Sequence, residues 1–120
     1  MSDYENYFYK IFLDLDSEFN IKVQLQVNLA TIVEKVGNYR YNSELFRNID
    51  FGIFSNDYKT LFFLIEIDDR THNLKSRKVR DEKVNEIVKN AGIRLIRFHS
   101  NYDNEYEYVR NRIINEIKNI

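Results

Sequence analysis

With 120 residues, 43% of them hydrophobic and 15% aromatic, the chain is long enough to bury a core and predicts one domain over residues 1–120. Charged residues make up 31% but the net charge is only −1, which argues against a disordered acidic tail and against a uniformly basic coat for nucleic acid. The absence of cysteine excludes disulfides and thiolate zinc sites, and two histidines, His72 and His99, leave any metal to oxygen ligands.

Apolar residues at 4, 8, 11, 12 and 15 predict a helix from Tyr4 to Leu15, capped by Ser2 or Asp3, with Glu5 in its first turn. From Ile21 the pattern alternates, with Ile21, Val23, Leu25, Val27 and Leu29 on one face and Lys22, Gln24, Gln26 and Asn28 on the other, as in a strand with one polar face. Residues 34–48 read as a loop with a short helical turn around Ser43 to Phe46. Ile49 to Phe54 and Thr60 to Asp68 read as an antiparallel hairpin joined by Ser55-Asn56-Asp57-Tyr58-Lys59, whose Asn and Asp form turns. The second of these strands is apolar on both faces and so belongs in the middle of the sheet. It also carries the longest apolar run, Leu61 to Ile65, five residues where a membrane span needs about 20 and a signal-peptide core about 7–15, so a soluble, cytoplasmic protein with no membrane partner is expected. Ser76 can cap a helix with stripe Val84, Ile87, Val88 and Ala91, ended by Gly92; Ile93 to Phe98 is a short strand, and Asn104 to Ile120 a closing helix with Val109, Ile113, Ile114, Ile117 and Ile120 inward. No linker or internal repeat interrupts this α-β-β-β-α-β-α order.

Three features converge on residues 50–81. Asp50 opens one hairpin strand, and Glu66 and Asp68, two apart and hence on one face, end its partner. Antiparallel pairing puts Asp50 opposite residue 65 or 66, crowding carboxylates that a hard divalent ion such as magnesium or manganese would join. Spacing alone equally allows Asp68-Asp69 to cap the next loop and Asp50 to make a turn. The second feature is the stretch from Arg70 to Asp81, in which Arg77, Arg80 and Asp81 extend the sheet-facing stripe of the helix toward its N-terminus, cations beside an acidic site that suit a phosphate; Lys78, Glu82 and Lys89 read as a solvated face. The third is charge segregation, since residues 70–97 hold nine of the 18 Lys and Arg but three of the 19 acids. A nearly neutral chain can thus carry a basic face for nucleic acid. His72, six residues after Glu66, is placed to move a proton of an attacking water, whereas His99, the Phe62-Phe63 pair and the tyrosines of the first helix read as ordinary surface, core and rim.

The strings Asn48-Ile49-Asp50-Phe51, Leu64-Ile65-Glu66-Ile67-Asp68-Asp69-Arg70-Thr71-His72, Arg80-Asp81, and Ala91-Gly92-Ile93 with Leu95-Ile96-Arg97-Phe98 together resemble the PD-(D/E)XK restriction-endonuclease-like nucleases. The closer likeness is to a domain-of-unknown-function branch near the very-short-patch-repair endonucleases, whose opening helix Ser2 to Tyr9 also resembles. The resemblance covers nearly the whole chain. It implies an α/β fold with an α-β-β-β-α-β core, a mixed sheet flanked by helices, plus a C-terminal helix. It makes Asp50 and Glu66 the metal ligands, with the carbonyl of Ile67 completing the set and Glu5 adding an acidic group; Gln26 matches a glutamine common in the branch and takes a supporting role. Asp68 departs from the superfamily pattern, standing where its lysine positions the attacking water, as members of this branch commonly do. Either His72 or Lys75 would then do the lysine's work, or a different metal arrangement is used, or the domain binds without cutting; histidines in similar short-patch-repair enzymes favour His72.

The expected function is therefore a metal-dependent DNA endonuclease using Mg or Mn. Asp50, Glu66, Asp68, His72 and Glu5 form the catalytic set, Asp50, Glu66 and Ile67 the metal set, and Arg70, Lys75, Arg77 and Arg80 the phosphate anchors. The alternative is a catalytically silent nucleic-acid-binding or regulatory module on the same fold. DNA is the expected partner, and cutting both strands at once would call for a homodimer.

Overall fold

The computed structural model describes residues 3–33, 48–68, 75–100 and 103–120. Helix α1 (Asp3–Phe19) opens the chain with Asp3 and Glu5 in its first turn, where the helix dipole favours acids, and buries Phe8, Ile11, Phe12 and Leu15 along one stripe. Asn20, in the left-handed region at φ 55°, turns the chain into strand β1 (Ile21–Asn28). The strand expected to run through Leu29 stops one residue earlier. Asn28 ends it by capping, since its Oδ1 accepts the Ala30 N–H at 2.9 Å and its carbonyl accepts the Thr31 hydroxyl at 2.7 Å, starting the short helix α2 (Leu29–Val33). The helical turn expected around Ser43 to Phe46 lies outside the described residues.

Strands β2 (Asn48–Ser55) and β3 (Leu61–Asp68) form the antiparallel hairpin, and β4 (Leu95–His99) runs parallel to β3, giving the sheet order β1-β2-β3-β4. β3, apolar on both faces, is internal as its sequence requires. Helix α3 (Lys75–Asn90) makes the crossover between the parallel strands. It begins at Lys75, so Ser76 lies inside its first turn and is not the cap. Its other end is a Schellman motif in which Gly92 takes φ 72°, the Ile93 N–H donates to the Val88 carbonyl at 2.9 Å and the Gly92 N–H donates to the Lys89 carbonyl at 3.1 Å. Helix α4 (Tyr106–Lys118) closes the chain with Val109 and Ile113 buried and Ile114 and Ile117 at the margin of the core. Ile120, expected to point inward, is 65% exposed because it lies beyond the last helical turn.

The sheet separates two cores. On one face α1 and α4 cover Phe51, Ile53, Phe63, Ile65, Ile96 and Phe98, with Phe12 edge-on to Phe51 at 5.0 Å. On the other, α2 and α3 contribute Leu29, Val84 and Val88 against Leu64 and Phe54. Gly52 lies on that second face because a Cβ there would come within 2.8 Å of Val27 Cγ2 and 2.9 Å of Phe54 Cε2. α1 and α4 are joined side by side by Arg110, whose Nη2 donates to both Glu18 oxygens at 2.7 Å, and by the Tyr106 hydroxyl on Asp14 at 3.2 Å. The result is the mixed α/β sheet, flanked by helices and followed by a C-terminal helix, that the sequence predicts, with α2 added. Among the described residues no helix is long and apolar enough to cross a membrane.

Candidate active site

The hairpin is zipped by main-chain pairing from Ile53 opposite Phe63 to Phe51 opposite Ile65. Phe51 and Ile65 both point toward α1 and α4, so the next residues outward, Asp50 and Glu66, share the opposite face, toward α3. There the carboxylates cross between strands. The Asp50 N–H donates to Glu66 Oε1 at 3.3 Å, and the Ile67 N–H donates to Asp50 Oδ2 at 2.8 Å. Side chains thus replace main-chain carbonyls at the open end of the hairpin, with Glu66 only 3% exposed. On the other side of β2, β1 yields at the same level. Leu25 pairs Phe51 and Val27 pairs Ile49, while Gln26, between them and opposite Asp50, is exposed and held at φ 53°. A non-glycine residue in that region is uncommon, and a strained position in a strand marks a place where geometry is imposed.

Asp68 continues the acidic face but takes a cation from the next strand. Arg97, in register beside Glu66 on β4, donates from Nη1 to Asp68 Oδ1 at 3.2 Å and from Nη2 to Asn85 Oδ1 of α3 at 2.8 Å. Both ends of the ion pair are about one-fifth exposed, at 22% for Asp68 and 23% for Arg97. The Arg97 carbonyl in turn accepts from Arg112 Nη1 at 3.0 Å, and the Arg112 guanidinium lies 4.9 Å from the centre of the Phe98 ring.

Of the residues singled out in the sequence, Asp50 and Glu66 come together and Asp68 stands beside them on Arg97. Glu5 sits half-buried in α1, the helix on the other face of the sheet. Among the described residues no three Asp, Glu or His side chains converge as a metal-ligating group. Two carboxylates with a main-chain carbonyl such as that of Ile67 still fit magnesium, which typically takes one or two carboxylates and keeps several waters. Arg80 was expected to face the sheet and is exposed instead. Val84 is the first buried residue among the described side chains of α3. Arg70 and His72 lie outside the described residues, as do the side chains of Lys75 and Arg77.

The reading of the sequence gave no role to Arg97, Asn85 or Arg112. The alternation of β4 carries a signal for the first, since Leu95 and Arg97 share a face and parallel pairing sets that face beside Glu66. No curated protein and no solved structure matches the chain. The family model described as protein of unknown function DUF2726 matches residues 1–117, and the chain belongs to that family.

Proposed function

We propose that this chain is a metal-dependent DNA endonuclease of the PD-(D/E)XK type. The observation that carries the reading is the pair Asp50 and Glu66, crossed between β2 and β3 on the α3 face, with Glu66 buried. Two neighbouring carboxylates, one of them buried, repel each other even while they accept main-chain N–H groups, and a divalent cation between them would relieve that repulsion. Asp50, Glu66 and the Ile67 carbonyl would hold magnesium or manganese, which when bound supplies Lewis acidity toward a phosphate oxygen. Arg97 sets a fixed positive charge one strand away, suited to a phosphodiester whose charge grows during attack. His72 moves the proton of the attacking water, and Arg70, Lys75, Arg77 and Arg80 neutralise flanking phosphates.

The test is cleavage of labelled single-stranded, duplex and branched DNA, and of RNA, with magnesium and with manganese. Asp50→Asn should lower cleavage by roughly 10²–10³-fold, on the scale of removing one electrostatic stabiliser from an active site. His72→Ala should lower it by ~10²–10⁴-fold with metal affinity intact. Parental rates in Asp50→Asn would end the nuclease reading. One observation favours a second reading, a nucleic-acid-binding module that does not cut: Asp68, standing at the lysine position of the resembled motif, is neutralised by Arg97. That module would show no heat on titration with either metal and no cleavage of any substrate.

A further inference from the structure

A groove of about 670 Å³ runs along the outer edge of β4, between the C-terminal half of α3 and α4. Its charged lining is Lys89, Arg94, Arg97 and Arg112, with no acid among the residues that line it. Two of these cations have acidic partners, Arg94 on Glu116 at 2.9 Å and Arg97 on Asp68 at 3.2 Å, so the groove keeps an excess of positive charge. Val88, Ile93 and Leu95 are its aliphatic lining. Arg97 belongs both to this groove and to the ion pair with Asp68, and it pairs in register with Glu66, so the groove adjoins the carboxylate face at that residue.

We propose that this groove binds the phosphodiester backbone of a single nucleic-acid strand and feeds it to the Asp50–Glu66 face. The inference rests on the nuclease reading for the direction of the strand, not for its binding. The volume lies within the range of about 300–1,000 Å³ typical of small-ligand sites, which suits a few nucleotides of one strand and not a duplex. Four cationic side chains with no acid among the lining residues match the repeated charge of a phosphodiester backbone.

The experiment is fluorescence polarisation of a labelled oligothymidylate with the full chain in EDTA, across salt, so that no metal site takes part. Two neutralised phosphates on a single strand, the net charge the groove keeps, predict a slope of about −1.4 in log affinity against log salt, or about sevenfold weaker binding between 50 and 200 mM. Lys89→Ala with Arg94→Ala, both exposed positions, should cut the slope to about −0.7 and the loss to about threefold. The control Lys10→Ala with Lys59→Ala removes the same charge elsewhere and should leave the slope at its parental value. Equal losses in the two double variants, displacement by poly-glutamate as readily as by unlabelled oligonucleotide, or preference for duplex over single strand would each overturn the proposal. Oligonucleotide binding through the groove without cleavage of any substrate would sink only the nuclease reading. Cleavage that depends on Asp50 but is indifferent to Lys89 and Arg94 would sink only the groove.

Discussion

The two ends of the β2–β3 hairpin solve the same problem with the same chemistry and opposite exposure. At the closed end Asp57 accepts the Ser55 hydroxyl at 2.7 Å and the Lys59 N–H at 3.0 Å, while the Tyr58 N–H donates to the Ser55 carbonyl at 2.9 Å. All of residues 56–60 are exposed, so water stands ready to replace any of these partners. At the open end Asp50 and Glu66 also accept main-chain N–H groups, but between strands, with Asp50 half-buried and Glu66 buried. A carboxylate in a turn is ordinary local structure. Two carboxylates that displace main-chain pairing inside a sheet repel each other in a medium that screens poorly. The difference teaches that solvent, and not hydrogen-bond pattern, separates a structural aspartate from a candidate functional one.

The sharpest way to break that comparison is truncation at the two ends. Asp50→Ala removes the acceptor of the Ile67 N–H, a group on a residue only 2% exposed, and should cost about 1–3 kcal/mol by urea unfolding. Asp50→Asn keeps an acceptor and removes a charge, so its stability should not fall even though cleavage does. Equal losses for Asp50→Ala and Asp57→Ala would show that the open end is no more sheltered than the turn.

A second variant sharpens the comparison from the neighbouring strand. Gln26, at φ 53° opposite Asp50, occupies a conformation that L-residues with a Cβ adopt at a cost of about 1–2 kcal/mol and glycine adopts freely. Gln26→Gly should therefore raise stability by up to about 1 kcal/mol, glycine's greater unfolded-state entropy taking back the remainder. If Gln26 positions the site, the same variant should lose cleavage while gaining stability, an exchange common at active sites. Lower stability in Gln26→Gly would mean that its side chain holds β1 in place.

Much of this arrangement is legible in the sequence because it follows from periodicity. Two-sided apolarity in β3 and the Gly92 stop of α3 each point to one structure. The alternation of β1 holds only as far as Leu25: Ile21, Val23 and Leu25 pack into the core under α1 and α4, whereas Val27 and Leu29, beyond Gln26 at φ 53°, join the core under α3. The turn at 55–59 sets Phe54 opposite Leu61, and an irregularity between Ile53 and Phe54 then shifts the register by one, which is what brings Asp50 to Glu66 and not to Ile65. What escapes is local capping and long-range pairing. Asn28 continues the alternation of its strand perfectly, and only the hydrogen bond from Ala30 reveals it as a helix cap. Arg97 is 29 residues from Asp68, and nothing local to either names the other. Arg80 likewise follows the stripe of Val84 in sequence but not its burial.

The smallest expected effect lies at the closed end and concerns acid. The Ser55 hydroxyl, and after it the Lys59 N–H, hold the Asp57 carboxyl below the ordinary aspartate value. A group whose folded-state pKa is depressed contributes stability above its unfolded pKa, near 4, and loses that contribution as pH falls through the lower folded value. Asp57→Asn should therefore flatten the acid limb of the stability profile below about pH 4 and leave the profile at pH 6–8 close to parallel with the parent. The shift should be small, because an exposed charge gains little that water would not provide. Urea midpoints measured between pH 3 and pH 7 read it directly. An acid limb unchanged in Asp57→Asn would show that the two hydrogen bonds on the turn carboxylate add nothing to its charged form that water does not supply.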